Sequence, residues 1–250
     1  AICYGAGSLI ALWLRHKWLP TFVGALLVIY TVILLCGHGF EFADHNIISI
    51  VDHKVLGPDH MYADTVDGVT LKFDPEGLLS TLPSIAHMLI GFICGGWLIS
   101  IKDNRDRINR LFILGTILTF AGFLLSYGLP INKKIWSPTF VLTTCGLASS
   151  FLGLLIWIID IKGKKKWCRF FEVFGINPLF LYCLGAILSI VMGAIPAGET
   201  TLKGWIYKDV LMPVCCDDAT LASLIFAILF VIVNWLVGLI LYKKKIYIKI

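Results

Sequence analysis

A chain of 250 residues that is 58% hydrophobic and only 15% charged, with a mean hydropathy of +0.86, lies outside the range of soluble domains of this length. Its net charge of +5 would suit a nucleic-acid binder. The basic residues, however, sit directly beside apolar runs, and no basic stripe interleaved with aromatics stands apart from them, so no nucleic-acid partner is expected.

The apolar runs cover residues 1–14, 18–35, 78–101, 111–129, 138–159, 173–195 and 219–242. About 20 apolar residues cross the ~30 Å hydrocarbon layer as a helix, which satisfies its own backbone groups where lipid offers no partners. The first run reaches Arg15 after 14 residues and begins without a polar flank or an initiator Met. The expectation is an all-α integral membrane protein: a bundle of about seven transmembrane helices, the first truncated. It reads as one domain over residues 1–250, the C-terminal part of a longer protein, with membrane lipid as its immediate partner.

Charge orients the bundle. Fifteen of the 21 lysines and arginines fall in alternate connections: Arg15 and Lys17, then Lys102 to Arg110, then Lys162 to Arg169, then Lys243 to Lys249. Short loops rich in Lys and Arg stay in the cytoplasm. The C-terminus is therefore expected to be cytoplasmic, with residues 36–77, 130–137 and 196–218 external. Lys133 and Lys134 run against the rule and call for another role.

Residues 36–77 form the chemically dense external loop, with eight of the 16 acids and four of the six histidines. Asp44-His45, Asp52-His53 and Asp59-His60 do not repeat at a metal-ligand spacing, and no CxxC pair occurs, so no metal is expected. Solvated loop residues are the plainer reading, although His60 beside Asp59 suits a general base or a substrate contact. Residues 46–56 predict an amphipathic surface helix, with Ile47, Ile50, Val51 and Val55 on one face and Gly57-Pro58 ending it.

Asp74 and Glu76 lead into the third run. They suit a helix start, and equally the mouth of a cavity that holds a hydroxylated or amino-bearing substrate. His87, deeper in that run, is costly unless it faces the bundle interior; a neutral histidine bonded to a carbonyl is its plainer reading. Gly91, Gly95 and Gly96 predict close helix contact. In residues 130–138, Trp136 fits an interfacial aromatic belt, and Ser137 fits a helix cap with Pro138 at the first position. Lys133 would meet Asp74, Glu76 or an anionic ligand. Asn177-Pro178 predicts a cavity-facing break inside the sixth run. Of the eight cysteines, four lie within runs and Cys36 borders one, and these five read as small buried residues; Cys215 and Cys216 are adjacent, and their state stays open.

Several of these segments, in order, resemble those of a known family: Val55-Leu56-Gly57-Pro58-Asp59-His60-Met61-Tyr62, Phe73-Asp74-Pro75-Glu76-Gly77, and Pro130-Ile131-Asn132-Lys133 with Trp136-Ser137. Asp160-Ile161-Lys162-Gly163, Asn177 and the tail Leu241-Tyr242-Lys243-Lys244-Lys245-Ile246 complete the set. The chain resembles the heparan-α-glucosaminide N-acetyltransferase family of membrane acyltransferases and its bacterial relatives.

The resemblance implies transfer of an acetyl group from cytoplasmic acetyl-CoA across a bacterial inner membrane to glucosamine, or another amino sugar or glycan, outside. It also implies that the catalytic histidine lies upstream of residue 1, so that none of the six histidines here takes that role and the chain alone is inactive. Candidate substrate contacts are Asp59, His60, Asp74, Glu76, Asn132, Lys133, Trp136 and Asn177. The acids would hold hydroxyl or ammonium groups, Lys133 an anionic group, and Trp136 a pyranose face. A homodimer is compatible with this reading. The rival reading is a sugar transporter or permease, because broken helices and mid-membrane polar residues serve transport equally.

Overall fold

The computed structural model describes residues 2–43, 45–66, 68–74 and 77–248. Asp44, Glu76 and Lys249, named above, lie outside the described residues. The chain divides into two compact units, Ala1–Gly163 and Lys164–Ile250.

In the first unit, α1 (Ile2–Trp13) is a short apolar helix, and α2 (Leu19–Cys36) extends a one-turn segment, His16–Trp18, to spanning length. The surface helix α3 (Ile47–Val55) comes next, where the sequence predicts it. The hairpin of β1 (Tyr62–Val66) and β2 (Val69–Phe73), which was not expected, follows it. Then come three long helices: α4 (Thr81–Ser100), α5 (Asn104–Leu125) and α6 (Pro138–Ile156). The core lies between α2, α4, α5 and α6 around Leu27, Leu89, Leu111 and Val141, with α1 packed against it. Outward faces carry large apolar side chains such as Phe120 and Ile113, as lipid-facing helices require.

Close helix approach occurs on α5 and α6, not where the α4 glycines predicted it. A Cβ at Gly146 would meet the Thr119 backbone nitrogen at 2.5 Å, and one at Gly115 would meet the Gly146 carbonyl oxygen at 2.8 Å. Small residues let the two backbones touch, which lipid chains cannot drive by the hydrophobic effect but dispersion can. At Gly91, Gly95 and Gly96 a Cβ would meet nothing within 4 Å. Those positions border open space.

The ends of these helices are capped by side chains. Ser137 accepts from the Phe140 amide at 3.2 Å with Pro138 at the first position, as expected. At the opposite end, Arg107 Nε donates to the Ile101 carbonyl at 2.6 Å, which satisfies the terminus of α4.

In the second unit, the predicted run 173–195 is not one straight span. Cys168–Ile176 (α7) and Pro178–Ala194 (α8) meet at 84°, with the break at Asn177. Proline lacks an amide hydrogen and disfavours helical geometry in the residue before it, so α7 ends there and α8 starts afresh. The short pair β3 (Pro196–Ala197) and β4 (Thr200–Thr201) follows, then α9 (Leu202–Trp205), α10 (Met212–Val214) and the long α11 (Ala219–Lys243). Trp235 of α11 stacks on Phe170 of α7 and donates from Nε1 to the Phe170 carbonyl at 3.1 Å.

Among the described residues, five helices are long and apolar enough to cross a membrane, or six if the bent pair counts as one span. With α1, this reproduces the seven apolar segments in order, one of them broken. All eight cysteines are free.

Candidate functional site

The site is built at one end of the first unit, where α3, the start of α4 and residues 130–137 meet. Tyr30, Leu34, Ile48 and Ile135 form a buried cluster there. Tyr30 donates to the Ile135 carbonyl at 2.6 Å, so α2 fixes the loop before α6.

Helix α3 packs through Ile48, Ser49 and Asp52, all buried, while Ile50 and Val55 stay exposed. Asn46 caps it, accepting from the Ser49 amide at 2.7 Å. Of the expected apolar face, Ile50 and Val55 look away from the protein, Val51 is half-buried and Ile47 packs on the cluster, while Ile48, Ser49 and Asp52 beside it are the most deeply buried. The carboxylate of Asp52 enters that contact: Oδ1 accepts from the Leu78 amide at 2.9 Å, and Oδ2 is buried without a partner. Burial, and then the charge of Asp74, push the Asp52 carboxyl above its ordinary range, against the Leu78 hydrogen bond, which lowers it. Asp52, in one of the three Asp-His pairs, is not among the candidate contacts that the sequence offers. Its signal was spacing, because Asp52 shares a helical face with Ile48.

The segment 130–137 is held by several bonds at once. The Asn132 amide donates to Ser137 Oγ at 2.9 Å, the Ser137 amide returns a bond to the Asn132 carbonyl at 3.0 Å, and Thr139 Oγ1 donates to the Pro130 carbonyl at 3.1 Å. This frame forces Trp136 to φ 52°, the left-handed region that bulky residues avoid. The indole thereby reaches His87 of α4, with ring centroids 5.9 Å apart, and Phe140 at 5.2 Å. His87 Nδ1 and Trp136 Nε1 are both buried without hydrogen-bond partners.

The other sequence-predicted residues fall as follows. Asp59 and His60 are exposed; Asp59 pairs with Lys72 at 3.3 Å, and His60 Nδ1 lies 2.9 Å from the Leu56 carbonyl oxygen. Asp74 is half-buried beside the hairpin. Asn132 Oδ1 accepts from the Lys134 amide at 2.8 Å. Lys133 is exposed and takes part in none of the ion pairs among the described residues, which are His38–Glu41, His45–Glu41 and Lys72–Asp59. Asn177, in the second unit, is 2% exposed; its Nδ2 donates to the Ile246 carbonyl at 2.9 Å and its Oδ1 accepts from the Ile248 amide at 2.8 Å. The residues brought together are thus Trp136 with His87, and Asp52 with the start of α4.

A cavity of about 330 Å³ runs between α4 and α6 from His87. A larger one, about 650 Å³, lies beside α1 and includes Arg15, His16 and Phe92. The second unit has its own, about 530 Å³, with Asn234 on its wall. Among the described residues no group of three or more His, Cys, Asp or Glu side chains converges as metal ligands would.

Fold and site define a helical integral membrane protein with a polar loop packed on one end of the helices of its first unit and cavities between helices. Comparison with characterised proteins narrows the class. The mouse (Mus musculus) heparan-alpha-glucosaminide N-acetyltransferase is 32% identical over 143 residues, 53% of this chain and 22% of that protein. The human (Homo sapiens) protein of the same name is 32% identical over 148 residues, 53% of this chain and 21% of its own length. The chain is related in sequence to these acetyltransferases and spans about a fifth of their length. No family model matches it.

Proposed function

We propose that this chain is the membrane bundle of an N-acetyltransferase that moves an acetyl group from cytoplasmic acetyl-CoA to the amine of an amino sugar on the opposite side. The observation that carries this reading is the 32% identity to two proteins named as heparan-alpha-glucosaminide N-acetyltransferases. It favours acyl transfer over a sugar permease. Bacterial inner membrane is the compartment we assign, with the C-terminus and the lysines at 164–166 in the cytoplasm, by the distribution of basic loops.

In the reaction, the sugar amine nitrogen attacks the thioester carbonyl, the nitrogen–carbon bond forms, and coenzyme A leaves as its thiolate. A base takes the proton from the attacking nitrogen. The external loop and the adjoining helix starts are assigned to the acceptor, with Asp59, His60, Asp74, Asn132, Lys133 and Trp136 as its candidate contacts in the first unit. Bringing donor and acceptor into one geometry supplies much of the rate, since positioned partners react as if at very high concentration.

The test is radiolabelled acetyl-CoA supplied to the cytoplasmic face of vesicles that hold the full-length protein. Label on an external amino sugar supports acetyl transfer. Movement of unmodified sugar without acetate transfer establishes the permease instead.

A further inference from the structure

The α4–α6 cavity joins three observations that the acceptor contacts leave unused. First, it is long and narrow. Its α4 wall runs from His87 to Leu98, about 16 Å at 1.5 Å per residue, within about 330 Å³. Second, its α4 floor is bare, because Gly91 and Gly95 border it with nothing within 4 Å of where a Cβ would stand. Third, its polar groups are few: Ser149 Oγ lies midway, 3.6 Å from Cys94 Sγ, and His87 lies at the end nearest the external loop. A slot of this form suits a slender chain with sparse polar groups better than a sugar ring.

His87 and Trp136 add direction. Two neighbouring rings each bury a nitrogen without a partner, an expensive arrangement inside a bundle where lipid can repair nothing. The atoms are complementary in kind. An indole N–H only donates, while Nδ1 of a neutral imidazole accepts when the ring proton is on Nε2. The backbone at Trp136 stands at φ 52°, and its ring lies against His87.

We propose that this cavity receives the flexible amide-and-thioester arm of the acyl donor, and that His87, its ring held against Trp136, donates from Nε2 to the acyl carbonyl oxygen. Trp136 is then a positioning residue acting through His87. This inference rests on the acetyl-transfer reading and identifies a donor site within it.

Binding of two probes to the full-length protein in nanodiscs tests it. Acetonyl-dethia-coenzyme A keeps the acyl carbonyl, and ethyl-coenzyme A lacks it. Wild-type protein should bind the ketone about three- to tenfold more tightly, the range of one neutral hydrogen bond. His87→Leu should bind both probes about equally. His87→Gln, with an amide N–H in place of the imidazole, should regain part of the preference, and Trp136→Phe should lose part of it. Gly95→Leu should weaken both probes together without lowering the melting temperature, because its side chain enters open space. A full preference surviving His87→Leu overturns the role of His87. Unchanged affinity in Gly95→Leu overturns the cavity assignment. Failure of wild-type protein to bind either probe brings down the acetyl-transfer reading itself.

Discussion

The carboxylate of Asp52 stands where a side chain at residue 77 would have to go. Gly77 has no Cβ, and one placed there would collide with Asp52 Oδ2. Because Asp52 Oδ1 also accepts from the Leu78 amide at 2.9 Å, helix α3 is pinned to the start of α4 at a point with room for nothing else. Helix α3 and the start of α4 are joined at this point.

Gly77→Ala should therefore push Asp52 out of its seat. We expect a loss of about 1–3 kcal/mol, the usual cost of overpacking a closed site. Thermal unfolding in detergent measures it, and a melting temperature equal to wild type would show that the junction yields freely.

The Asp52 carboxyl titrates above its ordinary value of 3.8, chiefly through burial. A folded-state value raised in an acid means that the native state holds its proton longer than the unfolded chain does. Stability then falls as pH rises from the ordinary carboxylate range through the raised folded value, and levels off above it. Asp52→Asn should flatten that part of the pH profile. It should also match or exceed wild-type stability at neutral pH, because it removes a buried charge and keeps the acceptor for Leu78. An unchanged profile of melting temperature against pH would remove Asp52 from this role.

On α5 and α6, Gly146→Leu must separate backbones that now meet at the Thr119 nitrogen and the Gly115 carbonyl. A loss of about 1–3 kcal/mol or more is expected, with greater protease sensitivity in the 126–137 connection. Gly91→Leu, beside open space, should cost far less stability; equal losses in the two variants would contradict the packing described here.

Asn177 ties the chain end to the break between α7 and α8 through Ile246 and Ile248. Asn177→Leu removes both bonds to these exposed tail residues, at a cost of about 0.5–1.5 kcal/mol per bond. Limited proteolysis should cleave at residues 246–248 faster in the variant than in wild type, and equal rates would show that the two bonds do not hold the tail.

Sidedness is open to direct measurement. In a background without native cysteines, Thr65→Cys should react with an impermeant thiol reagent added to intact cells, while a retained Cys168 should not. The reverse pattern would invert the assigned topology and move the external loop to the cytoplasm.

The sequence by itself determined the class of protein, the order and approximate limits of its apolar segments, the surface helix after residue 46 and the helix start at Ser137-Pro138. Each is a local matter: the length of an apolar run against the thickness of a bilayer, a capping side chain, a proline that cannot continue a helix. The ordered motifs also pointed to acetyltransferase relatives.

Only the tertiary structure decided which face of α3 is buried, that the close-packed glycines are those of α5 and α6, that Asn177 grips the tail, and that Trp136 lies against His87. The reason is physical. In a membrane almost every helical face is apolar, so hydrophobic pattern no longer marks the inside. What selects a contact there is shape and the pairing of distant polar atoms, and neither is written in any one segment.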